Sequence, residues 1–197
     1  QRFHVHIENK IATVKFNRPE KANALDKIAW EEMKAIFEAL HREPEARVII
    51  LAGEGKSFCA GIDLSMLMDF SSLSSIKCEG RKRETFRENT AWLQSTITAI
   101  EKCRKPVLAA IHGACIGGGV DIISACDMRY CTEDAYFAIR EVDMGLVADI
   151  GTFQRLPKII NPGIMAELAY TGRKVSGSEA QQIGIVNRTY PDQEALM

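Results

Sequence analysis

No stretch of this sequence approaches the ~20 consecutive apolar residues that a helix needs to cross a bilayer, which excludes a membrane-spanning helix. An excess of charge of either sign is also missing. The 25 Lys and Arg nearly balance the 26 Asp and Glu, for a formal net charge of −1. Broad electrostatic attraction to nucleic acid or an anionic membrane is therefore not expected. The six cysteines (Cys59, Cys78, Cys103, Cys115, Cys126, Cys131) form no C-x-x-C pair and have no metal-ligand rhythm. Most lie among apolar neighbours, where a free thiol acts as a small hydrophobe, so a reducing compartment is the simplest reading. Gly55-Lys56-Ser57 resembles the end of a phosphate loop, but Ile50 stands where that pattern requires glycine, which argues against an ATP site. Sequence repeats, low-complexity tracts and interdomain linkers are absent. The chain opens at Gln1 in a strand-like pattern with no visible targeting peptide, and one trimmed away beforehand would leave this same start.

What is present is an ordinary globular balance, 46% hydrophobic and 26% charged over 197 residues. That supports a single domain over residues 1–197 with a sizeable core. Phe3–Glu8 and Ile11–Phe16 alternate apolar and polar residues across a polar corner, which predicts a β-hairpin. Asp26 is placed to cap a helix running to about His41, with Ile28, Met33, Ile36, Phe37 and Leu40 along one side. Residues 47–52 and 106–111 read as buried parallel strands. The Ser-rich, then basic segment 71–83 reads as a mobile surface loop, and 84–102 as a long amphipathic helix. A helix is expected over the apolar stretch 120–126. Short strands follow at 128–131 and 136–139, helices at 153–160, 164–171 and 178–183, and a last strand at 185–190. Recurring strand, strand, helix units point to an α/β fold with a largely parallel sheet.

The most informative run is His112-Gly113-Ala114-Cys115-Ile116-Gly117-Gly118-Gly119-Val120-Asp121. Three glycines lead into a helix start, whose unpaired N–H groups attract an anion or a developing oxyanion. A second loop, Ala60-Gly61-Ile62-Asp63, also follows a predicted buried strand, and ligands in open α/β sheets bind beyond strand C-termini. One N–H from each loop can converge on a carbonyl oxygen. Glycines that merely permit tight strand-to-helix packing are the bland alternative. Beyond Asp121, two acids lie in apolar, glycine-containing surroundings, Glu141 and Asp149. Such burial raises a carboxyl pKa toward neutrality, where it can move protons. Asp143 alternates with Glu141 and is the alternative candidate for the inward position. Helix capping, or pairing with Arg140 and Arg155, accounts for these acids without catalysis. The same trio can be written as a Mg²⁺ site, but the apolar neighbours Met144, Leu146 and Ile150 argue against a wet cage and no metal is expected.

Several ordered motifs together resemble one family. Asn17-Arg18-Pro19-x-Lys21-x-Asn23-Ala24, Phe58-Cys59-Ala60-Gly61-Ile62-Asp63-Leu64, Gly117-Gly118-Gly119-Val120-Asp121 and Gly151-Thr152-Phe153-Gln154-Arg155-Leu156-Pro157 look like the signatures of the enoyl-CoA hydratase/isomerase (crotonase) superfamily. Within it, residues 116–127 and 141–149 are most similar to the Δ3,5-Δ2,4-dienoyl-CoA isomerases. The resemblance covers essentially the whole chain. It implies a crotonase-like spiral of ββα units that binds an acyl-CoA thioester, with the thioester oxygen held by the backbone N–H groups of Ile62 and Gly118. It implies Asp121, Glu141 and Asp149 as the pocket acids. Lys21, Ala22, Ala60, Gly61, Asp63, Leu64, Ser65, Gly117 and Gly119 are implied as substrate contacts. For Lys21 a solvated turn lysine is the plain alternative.

Hydratases in this family usually carry Glu at the Asp121 position, Glu at the Glu141 position and no acid at the Asp149 position. A third carboxyl suits a proton shuttle along a conjugated chain, whereas two glutamates suit water addition. The resemblance thus implies an isomerase converting 3,5-dienoyl-CoA to 2,4-dienoyl-CoA in fatty-acid β-oxidation. It implies no cofactor beyond the coenzyme A of the substrate, a homo-oligomer (trimer or dimer of trimers), and a mitochondrial or peroxisomal location. An enoyl-CoA hydratase is the alternative of the same class. A non-catalytic relative binding RNA through Lys77, Arg81, Lys82, Arg83 and Arg87 is the alternative of a different class, although Glu79, Glu84 and Glu88 dilute that run. Relatives generally continue past the equivalent of Met197 into C-terminal helices that help close the pocket and build trimers, so this helical part is expected to be missing here.

Overall fold

A computed structural model describes residues 1–69 and 75–197. Strands β1 (Phe3–Glu8) and β2 (Ile11–Phe16) form the expected antiparallel hairpin, registered with Phe3 opposite Phe16. Helix α1 (Lys27–Leu40) begins where Asp26 accepts a hydrogen bond from the Ala29 N–H at 2.9 Å. Its buried face carries Trp30, Met33, Phe37 and Leu40, whereas Ile28 is exposed, contrary to the sequence pattern. Trp30 takes that side because position 30, not 28, falls on the stripe of 33 and 37 at helical spacing.

Next come β3 (Val48–Gly53), a short helix α2 (Leu64–Asp69), the long helix α3 (Glu79–Glu101) and β4 (Val107–Ile111). Helix α3 starts five residues before the expected 84, so positions 79–83 are helical rather than loop; the expectation for 71–74 lies outside the described residues. Glu79 is followed by Lys82 and Arg83 within ion-pair distance, and Glu84 by Arg87, which is how the basic run is accommodated on a helix. The chain continues through β5 (Ala114–Ile116), α4 (Gly118–Ser124), β6 (Met128–Thr132) and β7 (Tyr136–Ala138). It ends with α5 (Thr152–Arg155), α6 (Pro162–Thr171), β8 (Val175–Ser176), α7 (Gly177–Gln182), β9 (Arg188–Tyr190) and α8 (Gln193–Leu196). The strand expected from 185 forms only at 188, and the helix expected over 153–160 is a single α-turn passing into a tighter turn at Leu156–Lys158.

The main sheet has the order β1-β2-β3-β4-β6-β9, with β2 onward all parallel. A smaller sheet, β5-β7-β8, lies beyond it. The path repeats: β4 leads directly to β5 and β6 leads directly to β7, each step passing from the large sheet to the small one. The segment after β3 does the same, because Cys59 forms a parallel bridge with Cys115 of β5. These are the turns of a ββα spiral, and they place the ends of successive units side by side. The interior is held by side chains such as Phe3, Phe16, Phe37, Ile49 and Leu51, with the Phe16 and Phe58 rings edge to face at 5.2 Å. All six cysteines are free thiols; burial pushes Cys59, Cys126 and Cys131 up to about 12, so they act as core groups.

Candidate active site

Two loops at the ends of adjacent spiral turns meet. After Cys59 the backbone bridges Leu25 to Ile62: the Leu25 N–H donates to the Gly61 carbonyl and the Asp63 N–H donates to the Leu25 carbonyl, both at 2.8–2.9 Å. That pairing uses the groups on either side of Ile62 and leaves its own N–H turned the other way. Gly61 has φ +89 and lies so close to the second loop that a β-carbon there would come within 2.8 Å of the Ile116 carbonyl and 3.2 Å of the Gly118 nitrogen. A β-carbon at Gly118 would in turn sit 3.6 Å from the Ile62 nitrogen. The two amides are therefore neighbours. Gly118 opens α4, so its N–H has no partner within the helix. Such a pair can stabilise negative charge on an oxygen between them.

Three acids border the same cleft, each delivered by a different segment. Asp121 comes from the first turn of α4 and is 1% exposed. Its Oδ1 accepts two hydrogen bonds from Thr152, from N–H at 2.6 Å and from Oγ1 at 2.7 Å. Burial pushes its pKa up to about 6, against the pull of those two donors and of the Gly151 backbone N–H. Glu141 opens a 3₁₀ turn, Glu141–Met144, after β7. Its Oε2 is buried with no hydrogen-bond partner. Burial first, and then the charge of Asp121, raise it to about 7. Asp149 is half-buried on the following loop, and its carbonyl accepts from Gln94 of α3 at 2.8 Å and from Gln154 at 2.6 Å. These two amides tie the Asp149 backbone to its surroundings.

The alternative acid and the alternative pairings resolve cleanly. Asp143 is exposed and paired with Arg140 at 2.7 Å, so Glu141 takes the inward position. Arg155 pairs with Glu101 of α3 at 2.7 Å, which leaves the three cleft acids without that counter-charge. Asp63 is held down at about 2 by the Ser65 N–H and by Arg18, whose Nη1 lies 2.5 Å from Oδ2. It stays ionised and fixes its loop.

The cleft encloses about 970 Å³, ample for a drug-sized molecule or larger. Apolar side chains including Leu93, Ile116, Met144, Leu146 and Ile150 line it beside the acids. Lys21, Ala60, Gly61, Ile62, Asp63 and Leu64 line its wall, as do Gly117 and Gly118. Ala22, Ser65 and Gly119 do not. The Ala22 carbonyl accepts from the Ala60 N–H, and the Ser65 hydroxyl donates to Asp63. Gly119 packs under the site, where a β-carbon would lie 2.9 Å from the Cys59 carbonyl, so the packing explanation holds there. Sequence reasoning missed Thr152, Gln94 and Gln154. Thr152 and Gln154 stand inside the Gly151–Pro157 motif, where a hydroxyl next to a glycine was a usable signal; Gln94 has none on its helix. Among the described residues, no group of three or more His, Cys, Asp and Glu is arranged to hold a metal ion.

Residues 6–197 match the family described as Enoyl-CoA hydratase/isomerase. A peroxisomal Δ(3,5)-Δ(2,4)-dienoyl-CoA isomerase of Arabidopsis thaliana is 51% identical over 181 residues, covering 91% of this chain and 65% of that protein. The mitochondrial Δ(3,5)-Δ(2,4)-dienoyl-CoA isomerase of Homo sapiens is 45% identical over 194 residues, covering 96% and 58%. Among solved structures, an enoyl-CoA hydratase from Bacillus anthracis superposes with a TM-score of 0.85 at 33% identity, over 100% of this chain and 72% of that one. The chain thus spans about three fifths of the length of those two isomerases.

Proposed function

This chain belongs to the enoyl-CoA hydratase/isomerase family, and from that premise we propose that it carries the catalytic centre of an isomerase moving the double bonds of a 3,5-dienoyl-CoA to the 2,4 positions in fatty-acid oxidation. The observation that carries the reading is the third carboxyl: Asp149 borders the same apolar cleft as Glu141 and Asp121. Relatives named for this activity, at 44–51% identity, support the choice. The Ile62 and Gly118 N–H groups receive the thioester oxygen, each donor being worth about 3 kcal/mol in comparable sites.

In this mechanism the C2–H bond breaks and its electron pair enters a trienolate, conjugated from C1 to C6, whose negative charge rests on the thioester oxygen. The proton goes to Glu141, whose carboxyl lies against Gly117, next to the amide that holds that oxygen. Asp149 delivers a proton to C6, the conjugated system closes with double bonds at 2 and 4, and no net proton is gained or lost. Exchange through the cleft mouth returns the two acids to their starting states. Asp121 acts on its neighbours. Lys21, Ala60, Gly61, Asp63, Leu64 and Gly117 form the wall along the thioester. The reaction needs no cofactor beyond the coenzyme A of the substrate.

We extend the reading to the assembled protein. Exposed Val142 and Tyr170, which do not line the cleft, favour burial against another subunit, and the family resemblance makes a homotrimer or dimer of trimers the form proposed. Relatives named peroxisomal and mitochondrial favour one of those organelles. The test is incubation with 3,5-dienoyl-CoA while following the ultraviolet absorbance of the 2,4-diene, with 2-enoyl-CoA in parallel. Diene formation without 3-hydroxyacyl product is the expected result. Hydration without isomerisation would replace the reading with a hydratase.

A further inference from the structure

Asp121 and Glu141 form a crowded pair of acids, and the two are not held alike. Thr152 gives the Asp121 carboxyl two hydrogen bonds on the same oxygen, and the Gly151 backbone N–H adds a further pull toward the charged form. Donors satisfy an ionised carboxylate better than a protonated one, so they favour its charged form. Glu141 is satisfied on one side only: its own N–H and that of Arg140 favour its charged form, but its Oε2 is buried and unpartnered. Gly151 makes the Thr152 contact close: a β-carbon there would lie 3.2 Å from both the Asp121 β-carbon and its carbonyl oxygen.

The geometry points to Thr152 as a positioning residue that keeps Asp121 ionised, so that the last proton of the acid pair resides on Glu141 and leaves it a base matched to neutral pH. This rests on the isomerase reading for its activity arm only. The Gly151 backbone N–H pulls the same way, and a side-chain change at 152 leaves it in place; the remaining groups facing Asp121 do not do this work. Asp149 raises both acids, and the buried thiols of Cys59 and Cys115 are neutral. Arg155, across Gly151, is engaged by Glu101 and Thr98. With Asp121 charged, Glu141 sits at about 7, close to the optimum for general-base work. Without the Thr152 hydroxyl, Asp121 would retain a proton to higher pH and its repulsion on Glu141 would fade.

The experiment compares the intact wild-type protein with Thr152→Val and Thr152→Ser. In T152V the rising limb of the kcat profile is expected to move toward acid by about half to one pH unit. Plateau kcat should fall roughly three- to tenfold with KM nearly constant, because the base is weaker. T152S, which keeps both donors, should return the limb to within about 0.3 unit of wild type. A limb that stays put, or moves toward alkali, while kcat falls would overturn the assignment and leave Thr152 a structural residue. The second readout needs neither a variant nor activity: carboxyl ¹³C titration of wild-type protein should show Asp121 ionising before Glu141. The reverse order sinks the proposal even if T152V does not fold. If wild type is inactive on 3,5-dienoyl-CoA, the isomerase reading fails while the titration still decides the role of Thr152.

Discussion

The carboxyl of Glu141 presses against Gly117: a β-carbon at residue 117 would lie 3.1 Å from Oε1 and 3.6 Å from the carboxyl carbon. Gly117 also has φ +50, and its carbonyl accepts from the N–H groups of Val120 and Asp121. Gly117→Ala should therefore both strain the turn and displace the acid. Expected are a stability loss of about 1–3 kcal/mol in urea unfolding and a turnover loss of more than about tenfold. Wild-type turnover in folded G117A would remove Glu141 from the proposed chemistry.

Glu141→Gln and Asp149→Asn each leave the shape of the cleft but take away a proton carrier. Each should lower kcat by roughly 10²–10⁴-fold with only small changes in KM. The check is diene absorbance on protein whose circular dichroism matches wild type. Full turnover in D149N would sink the shuttle, because a two-acid mechanism would then suffice.

Stability should depend on pH in a direction that is unusual for carboxylates. Asp121 and Glu141 titrate near 6 and 7 when folded, above their ordinary values of 3.8 and 4.5. The unfolded chain thus releases these protons first. Their stabilising contribution is complete below about pH 4 and is lost as pH rises through about 7. Either group alone corresponds to something on the order of 3 kcal/mol, and because they interact the two do not simply add. Chemical denaturation of wild type and E141Q between pH 4.5 and about 8 should give a steeper decline in wild type. Parallel curves would contradict it.

Asn23 supports the loop beneath the site. It is 1% exposed; its Nδ2 donates to the carbonyls of Glu54 and Ser57, and its Oδ1 accepts from the Arg18 N–H. Asn23→Asp would aim a carboxylate oxygen at two carbonyls. A loss of about 2–4 kcal/mol is expected in thermal or urea unfolding. A change under half a kcal/mol would mean that those carbonyls find other partners.

Much of the fold was legible because its signals are local. Alternation along β1 and β2 gave the hairpin, Asp26 gave the start of α1, and the apolar runs of β3 and β4 gave the parallel strands. Local signals failed where tertiary pairing decided. The three-residue strand β5 exists because Cys59 and β7 flank it, and β9 reaches back only to Arg188 because only 188–190 pair with β6. Early α3 looked like a loop because it is charged all round; a polar helix held by its own ion pairs shows no apolar period.

By itself the chain determined its strand and helix runs, the two glycine-containing turns and the supply of acids, since periodicity, capping and φ preference act between near neighbours. Only the folded structure decided that Glu141 rather than Asp143 turns inward, that Gly119 packs rather than lines the cleft, and that Thr152 reaches Asp121. The protonation of the acids belongs to that second group. Charge and dehydration act through space, and residues 121, 141 and 149 become neighbours only when the spiral closes.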